Sequence, residues 1–141
     1  MKRILVGVDG SREAIAAVDT AAEMARSLGA NLMLAYVVPR RPPPGPASFA
    51  PELARSDNLE HSHAAGLLRE AEMRCTSAGI PVDSETLTGP VADTLADLAE
   101  SVRFDLIVVG HRGRGGVTRV LLGSVANRLL QISSRPVLVV R

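Results

Sequence analysis

Apolar residues follow two rhythms along this chain: short unbroken runs, and returns at every third or fourth position. Arg3 to Val8 is a run that ends in Asp9-Gly10-Ser11, a turn whose side chains start helices, so it reads as a buried strand feeding a helix. From Glu13 onward Ile15, Val18, Ala22 and Ala25 recur at helical spacing, and Gly29 stands where a C-terminal cap belongs. Asn31 to Val38 predicts a second strand. Six of the nine prolines then fall between positions 39 and 51, a stretch that can continue neither strand nor helix, and a long loop is expected from about 39 to 58.

Helical spacing resumes from about Leu59 to Ala78, closed by Gly79 and Pro81, and Val82 to Thr88 alternates polar and apolar as a half-exposed strand does. Gly89-Pro90 turns the chain into a helix marked by Val91, Leu95, Leu98, Ala99 and Val102. Leu106 to Val109 is a solid apolar run of the kind found in strands covered on both faces. A glycine-rich turn, a helix from about Ser124 to Ile132 and a last run, Val137 to Val140, complete the chain. Strands and helices thus alternate, and parallel strands joined by right-handed crossovers are the ordinary solution to that pattern. The expectation is a single α/β domain over residues 1–141: a doubly wound, five-stranded parallel sheet with helices on both faces. In such sheets a ligand lies beyond the carboxyl ends of the strands, where strand order reverses, which directs attention to Asp9, Val38, Gly89 and Gly110.

Composition narrows the function classes. With 46% apolar and 22% charged residues the chain is globular, and no segment approaches the roughly 20 uninterrupted apolar residues of a membrane span. A net charge of +1 gives no global field to hold nucleic acid or anionic lipid, and three aromatic residues, Tyr36, Phe49 and Phe104, offer little for base stacking. The single Cys75 excludes an internal disulfide, and Met1-Lys2-Arg3 runs straight into a strand without a signal-peptide pattern, so a cytoplasmic location is expected.

The chemistry concentrates after the fourth strand, in Gly110-His111-Arg112-Gly113-Arg114-Gly115-Gly116 and then Gly123-Ser124 at the start of a helix. Glycine permits unusual backbone turns and close approach to a ligand, and a helix N-terminus offers N–H groups and a positive dipole end to an anion. Phosphate is the guest this predicts, with the Ser124 hydroxyl as donor and Arg112 or Arg114 as neutralising charge. The plainer reading is a βα loop with Ser124 as an ordinary helix cap. No Gly-x4-Gly-Lys-Ser/Thr occurs, and the first turn carries too few glycines for a dinucleotide fingerprint.

The spacing Gly110-x2-Gly113-x9-Gly123-Ser124 resembles the nucleotide-binding signature of the universal stress protein family, and the resemblance extends from Ile4-Leu-Val-Gly-Val-Asp9 to Pro136-Val-Leu-Val-Val-Arg141. It implies a strand order 3-2-1-4-5 and ATP as ligand, with ADP or AMP as alternatives and Mg²⁺ as a companion ion. It further implies that Asp9 lies near ribose or adenine, that Val37 meets adenine through its backbone, and that Gly89 and Val91 border that pocket. Gly110, Gly113, Gly123, Ser124 and Val125 would form the phosphate-contacting set beside Arg112. This chain departs from the pattern at His111, where a small hydroxyl residue is commoner, and in its proline-rich loop.

Other side chains carry less. Asp9 also fits a plain turn or capping role, and His111 has no Ser/His/Asp or Cys/His arrangement beside it that would activate a nucleophile. His61 and His63 would point far apart on a helix, which disfavours a shared metal. Cys75 reads as structural. The expected function is a stress-response or signalling module that binds ATP as a regulatory ligand with slow or no hydrolysis and no catalytic residue of its own. The rivals are a slow ATPase or nucleotidyl-transfer enzyme and a nucleotide-free scaffold. The flat apolar strand Val137–Val140 predicts a homodimer built on that edge, alongside an unidentified signalling partner.

Overall fold

The computed structural model describes residues 1–40, 50–113 and 121–141. Its elements run β1 (Arg3–Gly7), α1 (Arg12–Leu28), β2 (Asn31–Val38), α2 (Ala50–Ser77), β3 (Val82–Thr88), α3 (Val91–Ser101), β4 (Leu106–Gly110), α4 (Ser124–Ile132) and β5 (Val137–Val140). All strand pairs are parallel and the sheet order is β3-β2-β1-β4-β5, the doubly wound topology expected. The switch point falls between β1 and β4, the pair whose connections leave in opposite directions.

The alternation along β1 divides the apolar side chains between two layers. Ile4 and Val6 join Val18, Leu34, Leu68 and Val108 under α1 and α2. Leu5 joins Val37, Leu95, Phe104, Ile107 and Leu129 under α3 and α4. The central strands β1 and β4 are buried on both faces, which is why they read as continuous apolar runs. With no Trp in the chain, Phe104 is the largest side chain fully buried.

The helix ends explain where chains turn. Ser11 caps α1, its Oγ accepting from the Ala14 N–H at 3.1 Å, and Gly29 closes the helix with φ 64°. The sequence expectation fails at α2, which begins at Ala50 and not near Leu59, so residues 50–58 are helix and not loop. The reason is positional. Pro51 lies in the first helical turn, where a missing N–H costs nothing, and Glu52-Leu53-Ala54-Arg55 are good helix formers. The remaining proline-rich stretch, 41–49, lies outside the described residues.

Candidate functional site

β1, β2 and β4 end at one edge of the sheet and leave a cavity of about 900 Å³ there. Asp9, Val37, Val91, Gly110, Arg112, Gly113, Gly123, Ser124 and Val125 all line it. Gly89 does not. It sits at the turn into α3 with φ 149°, its N–H bonded to the Val38 carbonyl at 3.0 Å, and a Cβ there would stand 2.7 Å from Thr94 Oγ1.

Val37 lies inside β2, paired in register with Leu87 of β3, and its backbone direction follows from the ladder. The Val8 N–H donates to the Ala35 carbonyl at 2.8 Å, so Ala35 presents its polar backbone groups toward β1. In a strand, residues two apart face the same way, so the Val37 N–H and C=O point toward β1 as well. There β1 has already ended. A donor and an acceptor of one residue therefore border the cavity, whose lining also includes the apolar Val91 and Val125.

The α4 start adds polar backbone to the lining. Gly123 is the N-cap of α4 and makes no side-chain cap, which leaves Ser124 as the first helical residue and not the cap that the plainer reading supposed. The first bond in the helix direction runs from the Asn127 N–H to the Gly123 carbonyl at 2.9 Å, so the N–H groups of the first turn have no intrahelical acceptor. His111 is tied to this turn through a 2.5 Å bond from the Gly123 N–H to its carbonyl.

Two glycines stand at close approaches, Gly110 against backbone and Gly113 against the tip of a side chain. A Cβ on Gly110 would stand 2.6 Å from Glu13 Cβ and 2.7 Å from its carbonyl carbon, so the end of β4 and the first turn of α1 touch only because that atom is missing. A Cβ on Gly113 would stand 2.6 Å from Asp9 Oδ2, which shows how near the Asp9 carboxylate lies to the glycine loop. Asp9 also receives the Ser11 N–H on Oδ1 at 2.9 Å, the turn role available to it from sequence. Arg112 Nε lies 4.0 Å from Glu13 Oε1 and donates to His111 Nε2 at 3.0 Å.

Sequence reasoning missed Ser11, Tyr36, Glu60 and Asn127, which also line the cavity. Asn127 is one helical turn beyond Gly123 and was within reach of a spacing argument; Glu60 arrives on α2. His61 bonds to the Asp57 carbonyl through Nδ1 at 2.8 Å and meets Thr88 Oγ1 through Nε2 at 3.3 Å. Among the described residues no cluster of three or more His, Cys, Asp and Glu side chains is placed to hold a metal ion, and Cys75 is fully buried in the α1/α2 layer. Arg114, Gly115 and Gly116 lie outside the described residues.

The model of the universal stress protein family matches residues 1–141. A universal stress protein of Methanocaldococcus jannaschii is 34% identical over 141 residues, an alignment spanning 99% of this chain and 82% of that protein. Among solved structures, the universal stress protein UspA from Lactobacillus plantarum superposes with a TM-score of 0.92 at 29% identity, covering 99% of this chain and 97% of the other. A universal stress protein solved in complex with cAMP gives 0.72 at 30% identity, over 99% and 96% of the two chains. Sheet order, the glycine spacing around the cavity and a family match along the whole length agree: the chain belongs to the universal stress protein family.

Proposed function

We propose that the cavity binds an adenine nucleotide, ATP in the first place, as a regulatory ligand. One observation carries this reading: a single cavity joins the unpaired backbone edge of Val37 to the uncapped first turn of α4. Adenine presents a donor and an acceptor side by side along one edge, which the Val37 N–H and C=O complement. Phosphate suits the other end, where the helix N-terminus and Arg112 supply N–H donors and positive charge. Asp9, between them, faces the ribose or a Mg²⁺ held by the phosphates. The related structure with cAMP, an adenine nucleotide, supports the class of ligand.

Turnover is slow or nil on this reading. Asp9 and Glu60 are the carboxylates, and Ser11 and Ser124 the serine hydroxyls, that line the cavity and could position a metal or a water, and the His111 ring is turned to Arg112, not to a nucleophile. A cytoplasmic setting and a homodimer through β5 belong to the same proposal. Titration calorimetry with ATP tests it. Wild type takes up heat-detectable ATP, and Gly113→Val, whose side chain must displace the Asp9 carboxylate, loses it while circular dichroism stays native. A folded wild type that gives no heat with ATP, ADP or AMP refutes the reading. A phosphate-release rate of about 1 s⁻¹ or more, ordinary for a dedicated enzyme, would favour an ATPase instead.

A further inference from the structure

We infer that His111 is a positioning residue that fixes the guanidinium of Arg112 at the phosphate end of the cavity; the inference rests on the nucleotide reading for its consequence, but not for its geometry. Arginine has only donors, so the 3.0 Å contact from Arg112 Nε obliges His111 Nε2 to accept. The ring proton must then sit on Nδ1, which is buried and has no hydrogen-bond partner among the described residues. A ring held with one nitrogen unsatisfied and the other on Arg112 is oriented by that contact, not by its own hydrogen-bonding needs.

The backbone of His111 is fixed independently of its ring. Its N–H donates to the Val140 carbonyl at 2.7 Å and its carbonyl receives the Gly123 N–H at 2.5 Å, so the residue ties the end of β5 to the cap of α4. From that anchored backbone the ring engages Nε of Arg112 on one side, while Glu13 Oε1 approaches the same nitrogen at 4.0 Å. With Nε occupied, the two Nη groups are the part of the fork left to face an anion, and the arginine meets it already oriented. Pre-orientation of this kind raises affinity by lowering the ordering cost of binding.

Two measurements test this. Nitrogen-15 NMR of the ligand-free protein reads the tautomer: the Nδ1-protonated form of His111 is expected in wild type and is lost in Arg112→Ala, and an Nε2-protonated ring in wild type overturns the inference outright. ATP titrations of wild type, His111→Phe, Arg112→Ala and the double variant then form a cycle. His111→Phe is expected to weaken ATP about tenfold in wild type and to change nothing further in Arg112→Ala, since contacting residues couple. His111→Gln, whose Oε1 can stand where Nε2 does, should recover most of the loss, and His111→Ala replaces the Phe variant if that one unfolds. Equal losses in both arginine backgrounds, with wild type binding ATP, overturn the positioning role and spare the nucleotide reading. A wild type that binds no nucleotide overturns that reading and removes the role with it, whatever tautomer NMR finds.

Discussion

Gly110 is the residue on which the site's geometry turns, because the atom it lacks would meet backbone and not a yielding side-chain tip. Gly110→Ala forces apart the end of β4 and the first turn of α1, and overpacking of that sort costs about 1–3 kcal/mol. Chemical denaturation checks it as a lowered midpoint with an unchanged slope. A different residue governs the acid limb of stability. Asp105 Oδ2 accepts from the backbone N–H groups of Lys2 at 2.7 Å and Arg3 at 2.9 Å, and these bonds, Lys2 first, hold its carboxyl below the ordinary value. A folded-state pKa below the unfolded value of about 3.9 means stability that is present above that value and drains away as pH falls through the lower one. The stability gap between wild type and Asp105→Ala is therefore expected to be full at neutral pH and to close under acid; denaturation midpoints from pH 7 downward follow it. Burial raises the Cys75 thiol pKa, keeping it protonated and out of reach, so alkylation is expected only when the chain opens.

Elements with a strong period were legible before the structure, and those set by placement were not. β1 and β4 announce themselves because burial on both faces makes their central residues a continuous apolar run, and α1 because Ser11 and Gly29 bracket its apolar stripe. The start of α2 is hidden in the sequence: its first turns carry no clear apolar stripe and begin beside prolines, where helix propensity outweighs the proline signal. Glu60 lies within the helix that the spacing predicts, but nothing in the sequence says that this part of α2 meets the cavity. The contact between His111 and Arg112 was equally out of reach. Neighbours in an extended chain point apart, and only the bend after β4 turns both side chains together. Nine of the ten residues that the glycine spacing and the family resemblance group line one cavity, because strand ends in a parallel sheet share one edge. Gly89 belongs to that edge too but is spent on the turn into α3, where φ 149° and Thr94 exclude a side chain. Gly89→Val is expected to destabilise the fold, read as a lower thermal midpoint.

At the scale of the whole molecule the two sheet edges differ. β3 presents Asp83, Ser84, Glu85 and Thr86, a guarded edge, whereas β5 is Val137-Leu138-Val139-Val140, half-buried at every residue with one side unpaired. The homodimer we propose closes that side by pairing β5 with its own copy about a two-fold axis. Sedimentation should give a dimer for wild type at micromolar concentration and a monomer for Val139→Lys, and a monomeric wild type rejects it. The separation of the core into two layers has a last consequence. Under α1 and α2 the packing runs through Val18 and Leu68, under α3 and α4 through Leu95 and Leu129, and the sheet stands between them. The cavity edge is where both layers come to the surface, Val8 from one and Val91 from the other. A molecule seated there acts as a rivet through the sandwich, so its arrival would be felt as slowed amide exchange on both faces at once, at a distance from anything it touches.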